Sequence, residues 1–322
     1  MNYIVFDLEW NQAAEGKDAE HPQLPFEIIE IGAQKLNEQL ELCGSFHALA
    51  KPVVYTKLNF HTQEIVGLTE RDLKKGEAFA KICRDFLEFC GDDCMFATWG
   101  SMDLTELQRN MRFFGVKNPF PKPLFYYDVQ KLYSLAFEDG KLRRSLEHAV
   151  DTQGIARTET FHRAHHDAFY TAQILKQIPP DIIKAHYSVD YYHTPKSKKD
   201  ELHLHYPEYY KYVSREFFSK EEAIADKTVT TIRCTACNRA LRKKVRWFSG
   251  TSRIYYALAE CPEHGYVKGK IRLKRNDDDR IFAIKTVKLT TAEGAERIQL
   301  TLEEMRRKRR EKTKQQAAKY RF

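Results

Sequence analysis

The chain has 322 residues and a formal net charge of +8, with 42% hydrophobic and 30% charged residues. The length predicts about two domains, and the composition excludes an intrinsically disordered chain. No run approaches the roughly 18 consecutive apolar residues of a membrane span, and the N-terminal residues lack the basic start of a secretion signal. We therefore expect a cytoplasmic protein, without membrane contact, whose seven cysteines are reduced thiols or metal ligands.

The first half of the chain alternates strand-like and helix-like runs. The predicted strands are Tyr3–Leu8, Glu27–Leu36, Leu40–Ala48, Met95–Thr98 and Phe125–Val129. The predicted helices are Phe79–Cys90, Asp103–Phe114, Leu142–Thr152 and His165–Gln177, the last of which ends before two prolines. This order of elements predicts a layered α/β domain over residues 1–180.

The second half has a different pattern. Residues 181–227 are rich in tyrosine and histidine and are predicted to connect two domains. Strands are then predicted at Thr228–Arg233, Lys243–Phe248, Ile254–Ala259, Tyr266–Leu273 and Ile281–Leu289. They predict a small β domain over residues 228–290, followed by a basic helix over residues 291–322.

Charge is divided unevenly between the two halves. Residues 1–180 carry 20 basic and 26 acidic side chains, for a net charge of −6, and residues 181–322 carry 33 and 19, for +14. This division favours chemistry in the first half and polyanion binding in the second. An ordinary mixed surface with a basic tail is the alternative that charge alone leaves open.

Two carboxylates end the first predicted strand. Asp7 and Glu9 are two residues apart, so both side chains project from the same face. Carboxylates this close repel one another unless a cation lies between them, and Mg²⁺ prefers such oxygen ligands. The pair alone is weak evidence for a metal site, because Asp-x-Glu is also common on solvated strand faces. Asp103 after a glycine turn, and His162 and Asp167 at the start of the last helix, extend the pattern.

With these residues the chain resembles the DEDDh 3′→5′ exonucleases, which share an RNase H-like mixed sheet flanked by helices. The resemblance covers roughly residues 1–178. Besides the acidic residues, it rests on Val66–Thr69, Tyr127–Gln130, Arg144–Glu147 before Gly154-Ile155, and Trp99-Gly100-x-x-Asp103. The last motif most resembles the form found in the branch of the family that contains the histone-mRNA 3′-end exonuclease and the sporulation inhibitor KapD.

The resemblance implies a role for each of the five residues. Asp7, Glu9, Asp103 and Asp167 would hold two Mg²⁺ or Mn²⁺ ions, and His162 would be the general base. An imidazole side chain can accept a proton near neutral pH, and a pair of ions can activate water and neutralise a phosphodiester. His162 fits the His-x4-Asp spacing of the family, whereas His165 and His166 are predicted to shape the helix start or face solvent.

One position departs from the family pattern. Many members have a small hydroxyl residue after the Asp-x-Glu pair, and this chain has Trp10. Its indole could stack on the terminal base of a substrate or pack in the core at the end of the strand, and the sequence leaves both open.

Two short motifs in the basic half have the spacing of metal ligands. Cys234 and Cys237 form one pair, and Cys261 and His264 form another, with 23 residues between the two pairs. Four sulfur and nitrogen ligands favour one structural Zn²⁺ ion in a zinc-ribbon-like module. Two reduced cysteine turns are the alternative.

Basic residues with neighbouring aromatic residues surround these motifs. The candidate nucleic-acid contacts are Arg242, Lys243, Lys244, Arg246, Lys268, Lys270 and Arg272. Cations beside aromatic rings suit single-stranded nucleic acid, whereas a solvated strand face would explain them without a ligand. The basic tail Arg306–Arg310 is open to the same two interpretations.

The sequence therefore predicts a metal-dependent 3′→5′ exonuclease that hydrolyses single-stranded nucleic acid with a free 3′ end to nucleoside 5′-monophosphates. RNA is favoured over DNA on the branch resemblance alone. The alternative is a nucleic-acid-binding or regulatory protein, similar to the sporulation inhibitor, that uses the exonuclease domain as a scaffold.

Overall fold

The computed structural model describes residues 1–319 and divides the chain into two compact units, the first spanning Met1–His193 and the second beginning at Thr194. Residues 320–322, the end of the predicted basic helix, lie outside the described residues. Within residues 1–319, no helix combines the length and apolar composition that crossing a membrane requires.

The first unit is built on one mixed six-stranded sheet. Its strands are β1 (Asn2–Asn11), β2 (Glu27–Leu36), β3 (Leu42–Leu49), β4 (Cys94–Thr98), β5 (Phe125–Asp128) and β6 (Ser188–Val189). They lie in the order β3-β2-β1-β4-β5-β6. β4 pairs in parallel with both β1 and β5, and the other neighbours are antiparallel. The predicted α/β fold class, with a mixed sheet flanked by helices, is confirmed.

Helices cover the sheet of the first unit. They are α1 (Phe60–Val66), α2 (Glu70–Leu73), α3 (Phe79–Cys90), α4 (Met102–Phe113), α5 (Val129–Phe137), α6 (Leu146–Thr152), α7 (Ala164–Gln177) and α8 (Pro180–Ala185). α3 has the predicted bounds, because its apolar residues recur at helical spacing and are buried. α6 begins four residues later than predicted, at the point where Ser145 caps it by accepting a hydrogen bond from the His148 backbone N–H.

The alternation of side chains along β1 decides where the first acidic residues point. Ile4, Phe6 and Leu8 join the core beneath α3 and α4, whereas Val5 joins the core beneath α5, α6 and α7. Because successive side chains of a strand point to opposite faces, Asp7 projects on the side of Val5. This is the face on which α7 packs.

Strand β2 allows α7 to approach the sheet very closely. Gly32 pairs with Asp7 across the β1–β2 ladder, and a Cβ atom at Gly32 would lie 2.0 Å from the backbone nitrogen of His165. Only glycine leaves room for a backbone at this distance. The first turn of α7 therefore rests directly on β2, beside β1.

The second unit contains an antiparallel six-stranded sheet. Its strands are β7 (Leu202–His205), β8 (Tyr210–Val213), β9 (Lys243–Thr251), β10 (Ile254–Cys261), β11 (Gly265–Arg275) and β12 (Ile281–Leu289), in the order β7-β8-β12-β11-β10-β9. Helices α9 (Lys220–Ala225), α10 (Lys227–Thr230) and α11 (Ala292–Lys319) complete the unit. One face packs against residues 217–241, and α11 packs on the other through Ala295 and Ile298.

Two features of this unit differ from the sequence expectations. The predicted strand Thr228–Arg233 is wrong, because Asp226 accepts hydrogen bonds from the backbone N–H groups of Thr228 and Val229 and starts α10 instead. The predicted connecting segment over residues 181–227 is divided between the units: β6 joins the first sheet, and β7 and β8 join the second. The second sheet is accordingly larger than the module expected over residues 228–290.

We predict that Gly32→Ala destabilises the protein by about 3 kcal/mol, the upper part of the usual range for overpacking, because the added methyl group meets backbone that cannot move aside. Gly44→Ala in β3 is the control, since its Cβ would meet only side chains, the Phe89 ring at 3.2 Å and Cβ of Lys35 at 3.8 Å. Urea denaturation of both variants measures the difference. Equal stability of the two would contradict the packing argument.

Candidate active site

Three of the predicted acidic residues meet on the face of the first sheet that α7 covers. Asp7 and Glu9 project from β1, and Asp167 lies in the first turn of α7. Carboxylate oxygens of these three residues all lie within 4.8 Å of one another. The side-chain alternation of β1 and the close approach of α7 thus bring together residues that are about 160 positions apart in sequence.

Asp103 reaches the same region from the other side of β1. Gly100 has a φ of 114°, which turns the chain from β4 into α4 and places Asp103 in the first turn of that helix. The Asp103 side chain is buried and accepts a hydrogen bond from the backbone N–H of Leu8. Its charge acts on Asp7, although it lies outside the three-residue cluster.

Burial and mutual repulsion make these carboxyl groups reluctant to ionise together. Burial first, and then the charges of Asp103, Glu9 and Asp167, raise the pKa of Asp7 well above its usual range. Burial and the charge of Asp167 raise the pKa of Glu9 to about 8. Burial likewise raises the pKa values of Asp103 and Asp167 to about 7. Such a cluster is suited to a divalent cation, which removes the repulsion.

His162, the predicted general base, lies in the segment before α7. Its φ is 64°, and its backbone N–H donates a hydrogen bond to Oδ2 of Asp167 at 3.2 Å. The imidazole is half exposed, with Nε2 3.7 Å from Oε1 of Glu147. The main chain thus ties His162 to the acidic cluster and leaves its ring accessible. Glu147 belongs to a motif recognised in the sequence, but its position beside the imidazole was not predicted.

The two neighbouring histidines have the positions expected of residues that shape the helix start. His166 Nδ1 lies 2.8 Å from the carbonyl oxygen of Thr160, in the segment that leads to α7. His165 Nδ1 lies 3.3 Å from Oε1 of Glu30, a residue that the sequence reasoning missed. Glu30 also contacts Arg163, directly before α7. No local sequence signal distinguishes this glutamate from an ordinary strand residue.

Trp10 packs on the core. The indole is half-buried among the residues beneath α3 and α4, and its ring centroid lies 5.5 Å from that of Phe26. Its carbonyl oxygen accepts a 3.4 Å hydrogen bond from Oγ1 of Thr62. The indole of Trp10 therefore packs as one of the two sequence interpretations expected, and its contact with a substrate base stays a prediction.

The two cysteine motifs of the second unit come together as the spacing predicted. Cys234 and Cys237 lie before β9, whereas Cys261 ends β10 and His264 lies in the turn to β11. Their ligand atoms all lie within 4.8 Å of one another. A hydrogen bond from His264 lowers the pKa of Cys261 to about 6, which favours the thiolate. These residues match the donor set that Zn²⁺ prefers.

The candidate nucleic-acid contacts occupy two strands of the second sheet. Lys268, Lys270 and Arg272 alternate with buried residues along β11 and share one face, as predicted. Lys243, Lys244 and Arg246 belong to β9, and Arg242 directly precedes it. Lys244 pairs with Glu260 and lies 5.1 Å from the centre of the Tyr266 ring.

The chain is similar to known nucleases. The model of the exonuclease family named RNase T matches residues 4–175, and a comparison with curated proteins finds no match. The solved nuclease domain of 3′hExo, described as a DEDDh family member bound to rAMP, is 19% identical with a TM-score of 0.49 and covers 58% of this chain and 96% of its own. Exonuclease I of E. coli in complex with a dA16 oligonucleotide is 15% identical with a TM-score of 0.48, and the match covers 80% of this chain and 54% of the exonuclease I chain.

We predict that, without added Mg²⁺ or Mn²⁺, the protein becomes less stable as the pH rises from 6 to 8.5. The raised pKa values mean that the folded protein binds more protons than the unfolded chain, whose carboxyl groups ionise near pH 4. The free energy of unfolding must then fall as pH rises through about 8. Thermal denaturation across this range measures the decline, which added Mn²⁺ should largely remove.

The matched variant for this experiment is Asp7→Asn. It removes one charge from the cluster, so its melting temperature should decline less over the same range and respond less to Mn²⁺. A wild-type melting temperature that rises with pH, or is indifferent to Mn²⁺, would contradict the electrostatic account.

Proposed function

The chain belongs to the exonuclease family, and we propose that it is a metal-dependent 3′-exonuclease that removes nucleoside 5′-monophosphates one at a time from single-stranded nucleic acid. The observation that carries the proposal is the meeting of Asp7, Glu9 and Asp167 within 4.8 Å, with Asp103 beside them. The motif Trp99-Gly100-x-x-Asp103 favours RNA over DNA as the substrate, through the branch that it resembles.

The acidic residues fit a pair of Mg²⁺ or Mn²⁺ ions. Among the described residues, Oδ1 of Asp167 is buried without a hydrogen-bond partner. Burial and neighbouring carboxylates raise the pKa of Glu9 to about 8 and that of Asp167 to about 7, and a divalent cation would offset this repulsion. Asp7, Glu9, Asp103 and Asp167 would hold the ions. When bound, such ions lower the pKa of water and neutralise the charge of the scissile phosphodiester.

His162 is the side chain that would take the proton from the attacking water. Its ring is half exposed, so a water molecule can reach it. The hydrogen bond from its backbone N–H to Asp167 keeps the residue beside the cluster. Oε1 of Glu147 lies 3.7 Å from Nε2 of this ring.

The remaining contacts would hold the strand. The indole of Trp10 is half-buried, and its exposed part would contact the terminal nucleotide. The basic residues of β9 and β11, with Tyr266 and Tyr256 beside Lys244 and Lys270, would bind phosphates and bases of single-stranded nucleic acid. Basic residues Arg306–Arg310 of α11 are exposed and add positive charge.

We predict that the full chain with Mn²⁺ or Mg²⁺ shortens 5′-labelled single-stranded RNA and DNA from the 3′ end and that Asp7→Asn abolishes product. His162→Ala should slow cleavage by about 10²- to 10⁴-fold, the usual contribution of a general base. His205→Ala, an exposed histidine in the second unit, is the matched control and should cleave normally. Separation of the products identifies the mononucleotides, and an oligonucleotide with a blocked 3′ end tests the direction.

Cleavage by Asp7→Asn at the wild-type rate would overturn the proposed active site, and normal cleavage by His162→Ala would overturn the role of that residue. Binding of oligonucleotides by the wild-type chain without any cleavage would favour the alternative, a regulatory protein that uses this unit as a scaffold.

The second unit would carry one structural Zn²⁺ ion. Cys234, Cys237, Cys261 and His264 provide a closed set of four ligands, and Cys234 and Cys261 are buried in the core of the unit. The ion would join the loop before β9 to the β10–β11 hairpin. It would thereby contribute to the folding of this unit rather than to hydrolysis.

We predict that the purified chain contains about one Zn²⁺ per molecule and that Cys234→Ser loses the ion and lowers the melting temperature. Cys43→Ser is the control, because Cys43 is an exposed thiol outside the cluster. Elemental analysis and thermal denaturation give the two readouts. A chain without zinc, or a Cys234→Ser variant as stable as Cys43→Ser, would contradict the assignment.

A further inference from the structure

Glu30 is a buried carboxylate beside the acidic cluster that none of the roles above uses. It pairs with Glu9 across the β1–β2 ladder, two residues before Gly32 on the same face of β2. Its side chain has no solvent exposure. Its charge acts on Asp7, Glu9 and Asp167. A buried charge in this position needs a strong partner.

Arg163 is that partner. Its Nη2 lies 2.9 Å from Oε1 of Glu30 and its Nε lies 3.0 Å from Oε2, which is the two-point geometry of a strong arginine–carboxylate pair. The backbone N–H of Ala164 adds a 3.3 Å hydrogen bond to Oε2, and His47 Nε2 lies 2.7 Å from Oε1. Burial alone would raise the pKa of Glu30, but His47 and Arg163 outweigh it and hold the pKa at about 2.

The same carboxylate could instead belong to a metal site, because ligand atoms of Glu30, His47 and His165 lie within 4.8 Å. Arg163 argues against this alternative, since its guanidinium contacts both oxygens of Glu30 and would repel a cation. The contacts of Glu30 are therefore those of an ion pair supported by histidines.

The position of this ion pair along the chain gives it a consequence for the active site. Arg163 directly precedes α7, Ala164 is its first residue, and Asp167 lies in its first turn. Gly32 receives the backbone of the same turn on β2. The backbone N–H of Asp167 also donates to the carbonyl oxygen of Arg163, so displacement of Arg163 would displace the acidic residue.

We propose that Glu30 and Arg163 are positioning residues, whose ion pair holds the first turn of α7 on β2 so that Asp167 reaches Asp7 and Glu9. This role rests on the proposed function, since it serves the same site. It predicts that loss of the pair affects metal binding and turnover more than substrate affinity. Substitution of the residues that support metal ligands typically lowers metal affinity or activity by about 10- to 100-fold.

The test compares Arg163→Met, Arg163→Lys and the control Arg157→Met in the full chain. Arg157 makes a similar two-point pair with Asp151, but both side chains are half exposed. Calorimetry with Mn²⁺ alone measures metal affinity without reference to activity, and kinetics on a single-stranded oligonucleotide separates kcat from KM. Arg163→Met should lose about 10- to 100-fold in both Mn²⁺ affinity and kcat, with KM within about threefold.

Arg163→Lys keeps the charge but not the planar two-point contact, so it should fall between Arg163→Met and the wild type. Arg157→Met should match the wild type. The double variant Glu30→Gln/Arg163→Met should regain thermal stability relative to Arg163→Met, since no unpaired charge is buried, without regaining Mn²⁺ affinity.

Folded Arg163 variants that bind Mn²⁺ within twofold of the wild type would overturn the positioning role. If Arg163→Met does not fold, Arg163→Lys decides by the same criterion. The Mn²⁺ measurement also separates this inference from the proposed function, because a wild type that binds Mn²⁺ but cleaves nothing would refute the function and leave the comparison of the variants valid.

Discussion

Repulsion between buried carboxylates is the constraint on which the first unit depends. Asp7 and Glu9 leave β1 on the face that receives α7, and Asp167 is brought within 4.8 Å of them. Charges at such distances repel strongly where water is largely excluded. The fold opposes this repulsion with a close backbone contact at Gly32 and a buried pair between Glu30 and Arg163. The fold thus holds these carboxylates together against their mutual repulsion, which a bound cation would reduce.

The parts that the sequence could predict are those with a local signal. The alternation of β1 and the helical spacing of α3 are visible in a few consecutive residues. The Cys-x2-Cys and Cys-x2-His motifs are equally short, and their spacing predicted that their side chains would come together. Glu30 and Arg163 have no such signal, because their contact joins residues 133 positions apart. The role of a glutamate in a largely apolar strand can be recognised only from a structure that shows the opposite charge packed against it.

Several short elements of the second unit could not be predicted from residue patterns. β7 and β8 have four residues each, too few for alternation to stand out in a segment rich in tyrosine. In α10, a single side chain at Asp226 overrides the strand preference of Thr228 and Val229 by satisfying their backbone N–H groups. The buried Lys285 then stabilises this turn by donating to the carbonyl oxygens of Thr228 and Thr231.

The docking of α7 on β2 also sets the order in which the site can form during synthesis. Asp7, Glu9, Glu30 and Gly32 belong to a hairpin made from the first residues of the chain, whereas Arg163 and Asp167 emerge from the ribosome more than 120 residues later. Pairings between such distant segments form late, after the cost of closing the intervening loop. A nascent chain that ends before α7 therefore carries Asp7, Glu9 and Asp103 but lacks Asp167, so the acidic cluster is assembled only when the first unit is complete.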